Sequence, residues 1–295
     1  MPVIDSKPMA PRTTAAFAVS AVAFVWLYAH VFWKLVHDWA TDGNYSHGFL
    51  IIPIAAYLAW ERRGKLAKLD VRPNAAGLVV TAASLAMLVA GTLGAELFVS
   101  RLSMLGVMAG AVLFIGGWPH LKALTFPLAF LLLMIPIPAI IFNQIAFPLQ
   151  LLASEFGTQA LSLAGIPVLR EGNVIVLART SLEVAEACSG IRSLISLLSL
   201  GIVLGYFTDR RTWVRVTVAL LTIPIAIVTN GLRVAGTGIA AHYYGVKAAQ
   251  GFLHAFSGWL VFAVALALVF GVQRIVTALR PVLDGGTALA PAGGS

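Results

Sequence analysis

Three short motifs contain the side chains that could carry out covalent chemistry. Cys188, the one cysteine of the chain, lies in the run Glu-Ala-Cys-Ser-Gly-Ile-Arg. Arg233 ends the run Asn-Gly-Leu-Arg, and His254 begins the run His-Ala-Phe-Ser-Gly. A thiolate can attack a carbonyl carbon, an imidazole can transfer the proton, and a guanidinium can stabilise the developing oxyanion. These residue types predict a cysteine acyl-transfer site.

Polar neighbours could support these three residues. Arg192 follows Cys188 by four residues, so a helix that begins at the cysteine would place both side chains on one face. The helix start and the cation would then lower the pKa of the thiol. Glu186 could orient the histidine or the arginine, and Asn230 precedes Arg233 by three residues. We therefore include Glu186, Arg192 and Asn230 as supporting candidates.

Each candidate also has an ordinary structural explanation. A lone cysteine in an apolar helix is often a small apolar filler. Arg233 could extend towards the lipid headgroups, and His254 could bind a headgroup at the membrane surface. The catalytic interpretation is favoured because the three motifs, far apart in sequence, end at one side of the membrane once the spans are placed.

A fourth polar motif, Asn-Tyr-Ser-His-Gly, lies early in the chain. Its His47 is a second candidate for the base, and Tyr45 is a further supporting candidate. The motif is equally typical of a turn between two spans, and it could form the edge of a substrate groove. The motifs of P-loop enzymes, of His-Glu-x-x-His zinc proteases and of α/β-hydrolases do not occur in the sequence, so we expect neither a cofactor nor a metal.

The composition indicates which elements must position these residues. Of 295 residues, 59% are hydrophobic and 11% are charged, whereas a soluble domain has about 25% charged residues. The apolar residues form runs of about 20, the length that crosses the hydrocarbon core as a helix. A soluble enzyme, a disordered chain and a fibrous chain are therefore excluded. The fold class is predicted to be an all-α polytopic membrane protein with about eight transmembrane helices.

The predicted spans leave one sizeable segment outside the membrane. The spans are residues 15–33, 49–60, 75–94, 97–118, 123–142, 191–207, 214–241 and 254–276. Between the fifth and the sixth, residues 143–187 are expected to form a small extracytoplasmic segment with an amphipathic helix over 147–163 and a β-hairpin over 166–177. Residues 1–280 are expected to form a single membrane domain, and 281–295 a disordered tail.

The basic residues predict the orientation. With the N-terminus in the cytoplasm, thirteen of the twenty Lys and Arg residues fall on the inner side and seven on the outer side. This distribution follows the positive-inside rule. Both termini are then cytoplasmic, and Cys188 faces the periplasm. The net charge of +8 is explained by this inner-side excess, so we expect no nucleic-acid partner.

Taken together, the motifs resemble those of the exosortase/archaeosortase family, eight-span proteins of the cytoplasmic membrane proposed to be cysteine transpeptidases. The resemblance is carried by the cysteine motif, by Asn-Gly-Leu-Arg-Val, by His-Ala-Phe-Ser-Gly and by the early Tyr-Ser-His-Gly. It implies Cys188 as the nucleophile, Arg233 as the arginine of the triad and His254 as its third member.

The resemblance also implies a substrate. This would be a secreted protein with a C-terminal Pro-Glu-Pro signal, one transmembrane helix and a basic cytoplasmic tail. The enzyme would cut it at the outer face of the inner membrane and pass the acyl group to another nucleophile, such as an amine of a membrane lipid. The alternatives are a transporter or assembly factor for a lipid-linked saccharide in exopolysaccharide export, and an intramembrane protease that only hydrolyses.

Overall fold

Apolar helices dominate the fold. The computed structural model describes residues 11–178, 180–184, 190–245 and 252–283, and the side chains of these residues except 11–17, 252–257 and 280–283. The chain forms two compact units, Met1–Ile137 and Pro138–Ser295.

In the described part of the first unit, all the regular secondary structure is helical. Its two longest helices follow each other in the sequence and pack antiparallel, since Gly77 lies near Phe114 and Gly91 near Ser100. Its shortest helix has a single turn. The helices are α1 (Pro11–Leu27), α2 (Ala29–Thr41), α3 (Gly48–Glu61), α4 (Arg63–Leu66), α5 (Ala76–Leu93), α6 (Leu97–Gly116) and α7 (Trp118–Phe130), which a 3-10 turn (Leu131–Met134) extends.

The second unit combines long helices with a small sheet. It contains α8 (Ala139–Leu163), β1 (Val168–Glu171), β2 (Val174–Leu177), β3 (Thr180–Glu183), α9 (Ile191–Thr208), α10 (Thr212–Tyr244) and α11 (Phe252–Leu283). The strands form an antiparallel sheet in the order β1-β2-β3. The predicted hairpin is thus present, with Glu171 opposite Val174 across a two-residue loop, and the sheet has a third strand that we did not predict.

The number of spans differs from the prediction. In the described part of the chain, six helices are long and apolar enough to cross a membrane: α5, α6, α8, α9, α10 and residues 258–279 of α11. The pair α1 and α2, bent by 60°, would make a seventh if it counts as one span. The shorter α3, and α7 with its 3-10 turn, are also apolar. The multi-pass helical architecture is therefore confirmed, whereas eight spans are not.

The predicted span at 123–142 is wrong. The helix ends at Phe130, and after the 3-10 turn the backbone is extended at Ile135 before α8 begins at Ala139. Pro136 and Pro138 explain the break, because a proline lacks the amide hydrogen and disfavours a helical conformation in the residue before it.

The break changes the assignment of the segment that follows. The amphipathic helix predicted at 147–163 is the C-terminal part of the 25-residue α8. Much of the stretch expected outside the membrane therefore belongs to a helix long enough to cross it. The part of that stretch that follows α8 contains the three-stranded sheet.

Glycines let α8 pack closely on α10. A β-carbon on Gly157 would lie 2.7 Å from Val234 Cγ1, and one on Gly238 would lie 2.7 Å from Leu161 Cδ1. Because the residue numbers of both contacts increase together, the two helices run in the same direction. Accordingly, the C-terminal ends of α8 and α10 lie at the same end of the second unit.

The sheet packs at this end of the second unit. The inward-facing side chains of β2 and β3 form a core cluster with α8 and α10 that includes Leu161, Ile175, Leu182 and Val234. Alternate residues of β2 are buried, as expected for a strand with one face on a core. A serine of α8 also fixes the hairpin loop, since Ser154 Oγ lies 2.9 Å from the Gly172 carbonyl oxygen.

Candidate functional site

Three described parts of the chain, called the frame below, adjoin the predicted triad in sequence or carry its arginine. Cys188 and Glu186 lie outside the described residues, and so does the side chain of His254, although its backbone is in the first turn of α11. The frame consists of Gly190, two residues after the cysteine, Gly258, four residues after the histidine, and α10, which carries Arg233.

The start of α9 lies directly against α10. Gly190 has a left-handed backbone, with φ of 79°, and a β-carbon on it would lie 2.7 Å from Cγ of Asn230. Asn230 is buried, with 3% of its surface exposed. A residue with a side chain would be strained at this φ and would also collide with Asn230. The glycine of the cysteine motif therefore permits the close approach of the two helices.

Arg233 lies against α11. A β-carbon on Gly258 would be 3.1 Å from Nη2 and 3.3 Å from Cζ of Arg233. The Nε atom of Arg233 is shielded from solvent. Residues three apart on a helix are neighbours on its surface, so Asn230 and Arg233 occupy adjacent positions of α10. The segments that follow Cys188 and His254 thus both contact α10 within one helical turn.

The helical relation predicted between Cys188 and Arg192 is wrong. The first residue of α9 is Ile191, and Gly190 before it has left-handed rather than helical angles. A helix cannot continue through that conformation, so the spacing of four residues does not place Arg192 and Cys188 on one helical face. Arg192 itself is exposed in the first turn of α9.

A hydrogen-bonded pair holds the other end of the cysteine segment. The amide of Val184 donates to the Asn173 carbonyl at 2.9 Å, and Asn173 Nδ2 donates back to the Val184 carbonyl at 3.3 Å. Asn173 Nδ2 also lies 3.4 Å from Oε1 of Gln150 in α8. The residues on either side of positions 185–189 are therefore anchored, Val184 to the hairpin loop and Gly190 to α10.

Sequence reasoning missed two of these positioning residues. Gly258 belongs to the histidine motif, but its proximity to Arg233 depends on how α10 and α11 pack. Asn173 is in the two-residue loop of the hairpin, where asparagine is a common turn residue. An asparagine at this position is explained by the turn alone, so the sequence does not predict its side-chain hydrogen bond to Val184, eleven residues away.

The structure places Tyr45 and His47 in the first unit, between α2 and α3. His47 is buried, and its Nε2 donates to the Leu133 carbonyl at 3.0 Å. Trp39 Nε1 donates to the next carbonyl, that of Met134, at 2.9 Å, and Tyr45 hydrogen-bonds to the backbone of Ile137. These side chains hydrogen-bond to backbone groups next to the proline break. The break leaves those groups without helical partners, and inside an apolar protein they need other partners.

Burial controls the protonation of both residues. It lowers the pKa of His47, against the smaller effects of the Leu133 and Asn44 backbones. It raises the pKa of Tyr45 to about 12, and the charge of Asp42 adds to this increase. Both side chains are therefore neutral near pH 7, which suits hydrogen bonding to backbone groups.

Two of the candidate arginines lie in the described part of the second unit. Arg192 follows Gly190 by two residues in the first turn of α9, and Arg233 lies in α10. Throughout the described ranges, no group of three or more His, Cys, Asp or Glu side chains could hold a metal ion. A guanidinium group can stabilise a thiolate or an oxyanion that lies close to it.

Comparison with known proteins identifies the family. The family model described as transmembrane exosortase (Exosortase_EpsH) matches residues 39–271. No curated protein and no solved structure matches the chain. The matched region begins in α2 and ends in α11, so it includes the cysteine, arginine and histidine motifs. The chain is a multi-pass membrane protein that belongs to the transmembrane exosortase family.

Proposed function

We propose that this exosortase is a cysteine transpeptidase of the bacterial cytoplasmic membrane. It would cleave the C-terminal Pro-Glu-Pro signal of secreted proteins at the outer face and transfer the new C-terminus to another nucleophile. One observation carries the proposal: Gly190 contacts Asn230 while Gly258 contacts Arg233, one helical turn away. The motifs of Cys188 and His254 thus meet at the arginine motif.

The reaction would proceed in two acyl transfers. The Cys188 thiolate attacks the scissile carbonyl carbon, and the carbonyl π electrons move to the oxygen, where the Arg233 guanidinium stabilises the charge. The C–N bond breaks as the electrons return, and protonated His254 gives its proton to the leaving nitrogen. An amine or water then attacks the thioester, a base removes the proton of this nucleophile, and the thiolate leaves.

The membrane setting suits a substrate that is itself anchored. A substrate helix could lie against the bundle and present its outer end to Cys188. The proposed orientation, with both termini cytoplasmic and the site facing the periplasm, rests on the positive-inside distribution of Lys and Arg. Under this proposal the substrate's basic tail stays in the cytoplasm.

The proposal is tested in cells that carry a tagged Pro-Glu-Pro substrate. Cys188→Ala and Cys188→Ser should both leave the substrate at its precursor size. Ser199→Ala is the matched control, because Ser199 lies in the middle of α9 and, among the residues that the structure describes, its hydroxyl bonds the Ile195 carbonyl of its own helix. Processing by the Cys188→Ala protein would exclude the cysteine mechanism.

Two rival functions give different outcomes. A transporter or assembly factor for a lipid-linked saccharide is favoured by discontinuous helices, such as the bend between α1 and α2. The transporter or assembly factor predicts that Cys188→Ala leaves exopolysaccharide export unchanged. It also predicts that neither the wild type nor Cys188→Ala cuts the Pro-Glu-Pro substrate. An intramembrane protease predicts a free carboxylate at the mature C-terminus, whereas the transpeptidase predicts an added group, and mass spectrometry of the product distinguishes them.

A further inference from the structure

We propose that residues 62–75, the basic linker between α3 and α5, bind the headgroups of anionic phospholipids. This proposal is independent of the cysteine chemistry, since all the residues concerned lie in the first unit. It rests on the charge of the linker, on its fixed attachment to two other helices and on the aromatic side chains beside it.

The linker is strongly basic. Between residues 61 and 72 the chain has five basic and two acidic residues: Glu61, Arg62, Arg63, Lys65, Lys68, Asp70 and Arg72. One acid is already neutralised, because Arg72 and Asp70 form an exposed ion pair at 2.9 Å. Lys65 and Lys68 are exposed, and in the described part of the chain neither forms a salt bridge. These two ammonium groups are available to a phosphate.

The linker is fastened at both ends. At its start, the Arg62 guanidinium donates to the carbonyl of Ala123 in α7. At its other end, the amides of Arg72 and Asn74 donate to the carbonyls of Gly116 and Phe114 in α6, each at 3.3 Å. A segment held in place before binding loses less conformational freedom when a ligand arrives. The two lysines thus project from a fixed platform rather than a free loop.

Aromatic side chains place this platform at the membrane surface. The Arg63 guanidinium carbon lies 3.6 Å from the ring centroid of Trp60, and Trp60 is 56% exposed. Trp118, at the start of α7, is 51% exposed, and Tyr57 lies beside Trp60. Tryptophan and tyrosine concentrate at the boundary between lipid and water. At the boundary between lipid and water, the anion that the lysines meet is a lipid phosphate and not an acidic side chain of a soluble protein.

The proposal is tested with the full-length protein in detergent by native mass spectrometry. Short-chain phosphatidylglycerol should bind more tightly than phosphatidylcholine of the same chain length. A basic residue near an anionic surface contributes about fivefold in affinity. Lys65→Gln and Lys68→Gln should therefore each weaken phosphatidylglycerol binding about fivefold, and together about twenty-five-fold.

Matched variants separate charge from position. The double variant Lys65→Arg/Lys68→Arg keeps both charges and should bind like the wild type. Arg210→Gln removes an exposed cation from the turn between α9 and α10 and should change the affinity by less than about twofold, since it lies outside the linker.

Three results would overturn the proposal. The first is unchanged phosphatidylglycerol binding by Lys65→Gln/Lys68→Gln. The second is equal affinity for phosphatidylglycerol and phosphatidylcholine. The third is that inorganic phosphate displaces the lipid at equal concentration, because the site would then bind free anions rather than a membrane headgroup.

Discussion

The position of the Arg233 guanidinium depends on a glycine in a different helix. Gly258→Ala would place a methyl group 3.1 Å from Nη2, closer than most side-chain contacts, so the guanidinium must shift. Because a small displacement of a stabilising group costs much of its effect, we expect processing to fall at least about tenfold. The measurement is the fraction of tagged substrate processed in cells, normalised to the amount of folded exosortase.

Gly271→Ala is the control for this change. Gly271 also lies in α11, but a β-carbon there meets nothing within 4 Å. We therefore expect normal processing by Gly271→Ala. If both alanine variants lose activity equally, the effect comes from α11 as a whole and not from Arg233.

His47 should make the stability of the protein depend on pH. Burial lowers its pKa in the folded state, so the unfolded chain takes up the proton first as the pH falls below about 6.5. The contribution of His47 to stability is therefore fully present above pH 6.5 and decreases as the pH falls towards the lower folded pKa. Thermal unfolding of the detergent-solubilised protein between pH 7.5 and 5.5 measures this decrease.

Glutamine replaces the titrating group without removing the donor. His47→Gln can still donate to the Leu133 carbonyl, and its stability should fall less between pH 7.5 and 5.5 than that of the wild type. His242→Gln, an exposed histidine at the end of α10, should retain the wild-type decrease. An identical pH profile for wild type and His47→Gln would contradict this account.

Gly190 forms the junction of α9 with α10. Gly190→Ala combines a left-handed backbone, which costs about 1–2 kcal/mol for a residue with a side chain, with a collision 2.7 Å from Asn230 Cγ. We expect it to lower the melting temperature and to abolish processing. Gly165→Ala isolates the backbone cost, because Gly165 has φ of 75° and open space around it.

The comparison of these two variants gives the test. Gly165→Ala should lower the melting temperature by less and should retain most of the processing activity. If the two variants melt at the same temperature and process substrate equally, the contact between Gly190 and Asn230 does not position the cysteine segment.

Some elements could be predicted from the sequence because local signals determine them. The Glu-Gly-Asn turn between two apolar runs determines the hairpin, and α9, α10 and α11 are long, predominantly apolar stretches. The break after Phe130 was missed because membrane helices can also tolerate proline. Whether a proline is tolerated within a helix or breaks it depends here on tertiary contacts. Trp39 and His47 are placed to hydrogen-bond to the carbonyls at the break.

The candidate site is a prediction from residue type, and the packing around it could not be predicted from the sequence. Residue chemistry indicated Cys188, Arg233 and His254. The contacts of Gly190 with Asn230 and of Gly258 with Arg233 depend on how three helices pack. No periodicity within one helix contains that information. The sequence therefore could not show that α9 begins after Gly190, so that Arg192 does not share a helical face with Cys188.

The orientation of the molecule is predicted by its basic residues. In a Cys188→Ala background, a cysteine introduced as Lys65→Cys should react with an impermeant maleimide only after the cells are permeabilised, because the basic linker is expected on the cytoplasmic side. Labelling in intact cells would reverse the orientation. A cysteine introduced as Glu171→Cys, exposed at the end of β1, should give the opposite result and react in intact cells.

The most direct test of the central claim is the detection of the acyl-enzyme. The purified full-length protein is mixed with a Pro-Glu-Pro substrate, stopped rapidly and measured by intact-mass spectrometry. Neutral hydroxylamine cleaves thioesters and leaves ordinary oxygen esters intact. Because Cys188 is the only thiol of the chain, an adduct of the substrate's N-terminal part that neutral hydroxylamine removes is a thioester at this residue. We predict that adduct in the wild type and its absence in Cys188→Ala. Substrate cleavage by Cys188→Ala, without any adduct, would contradict the account.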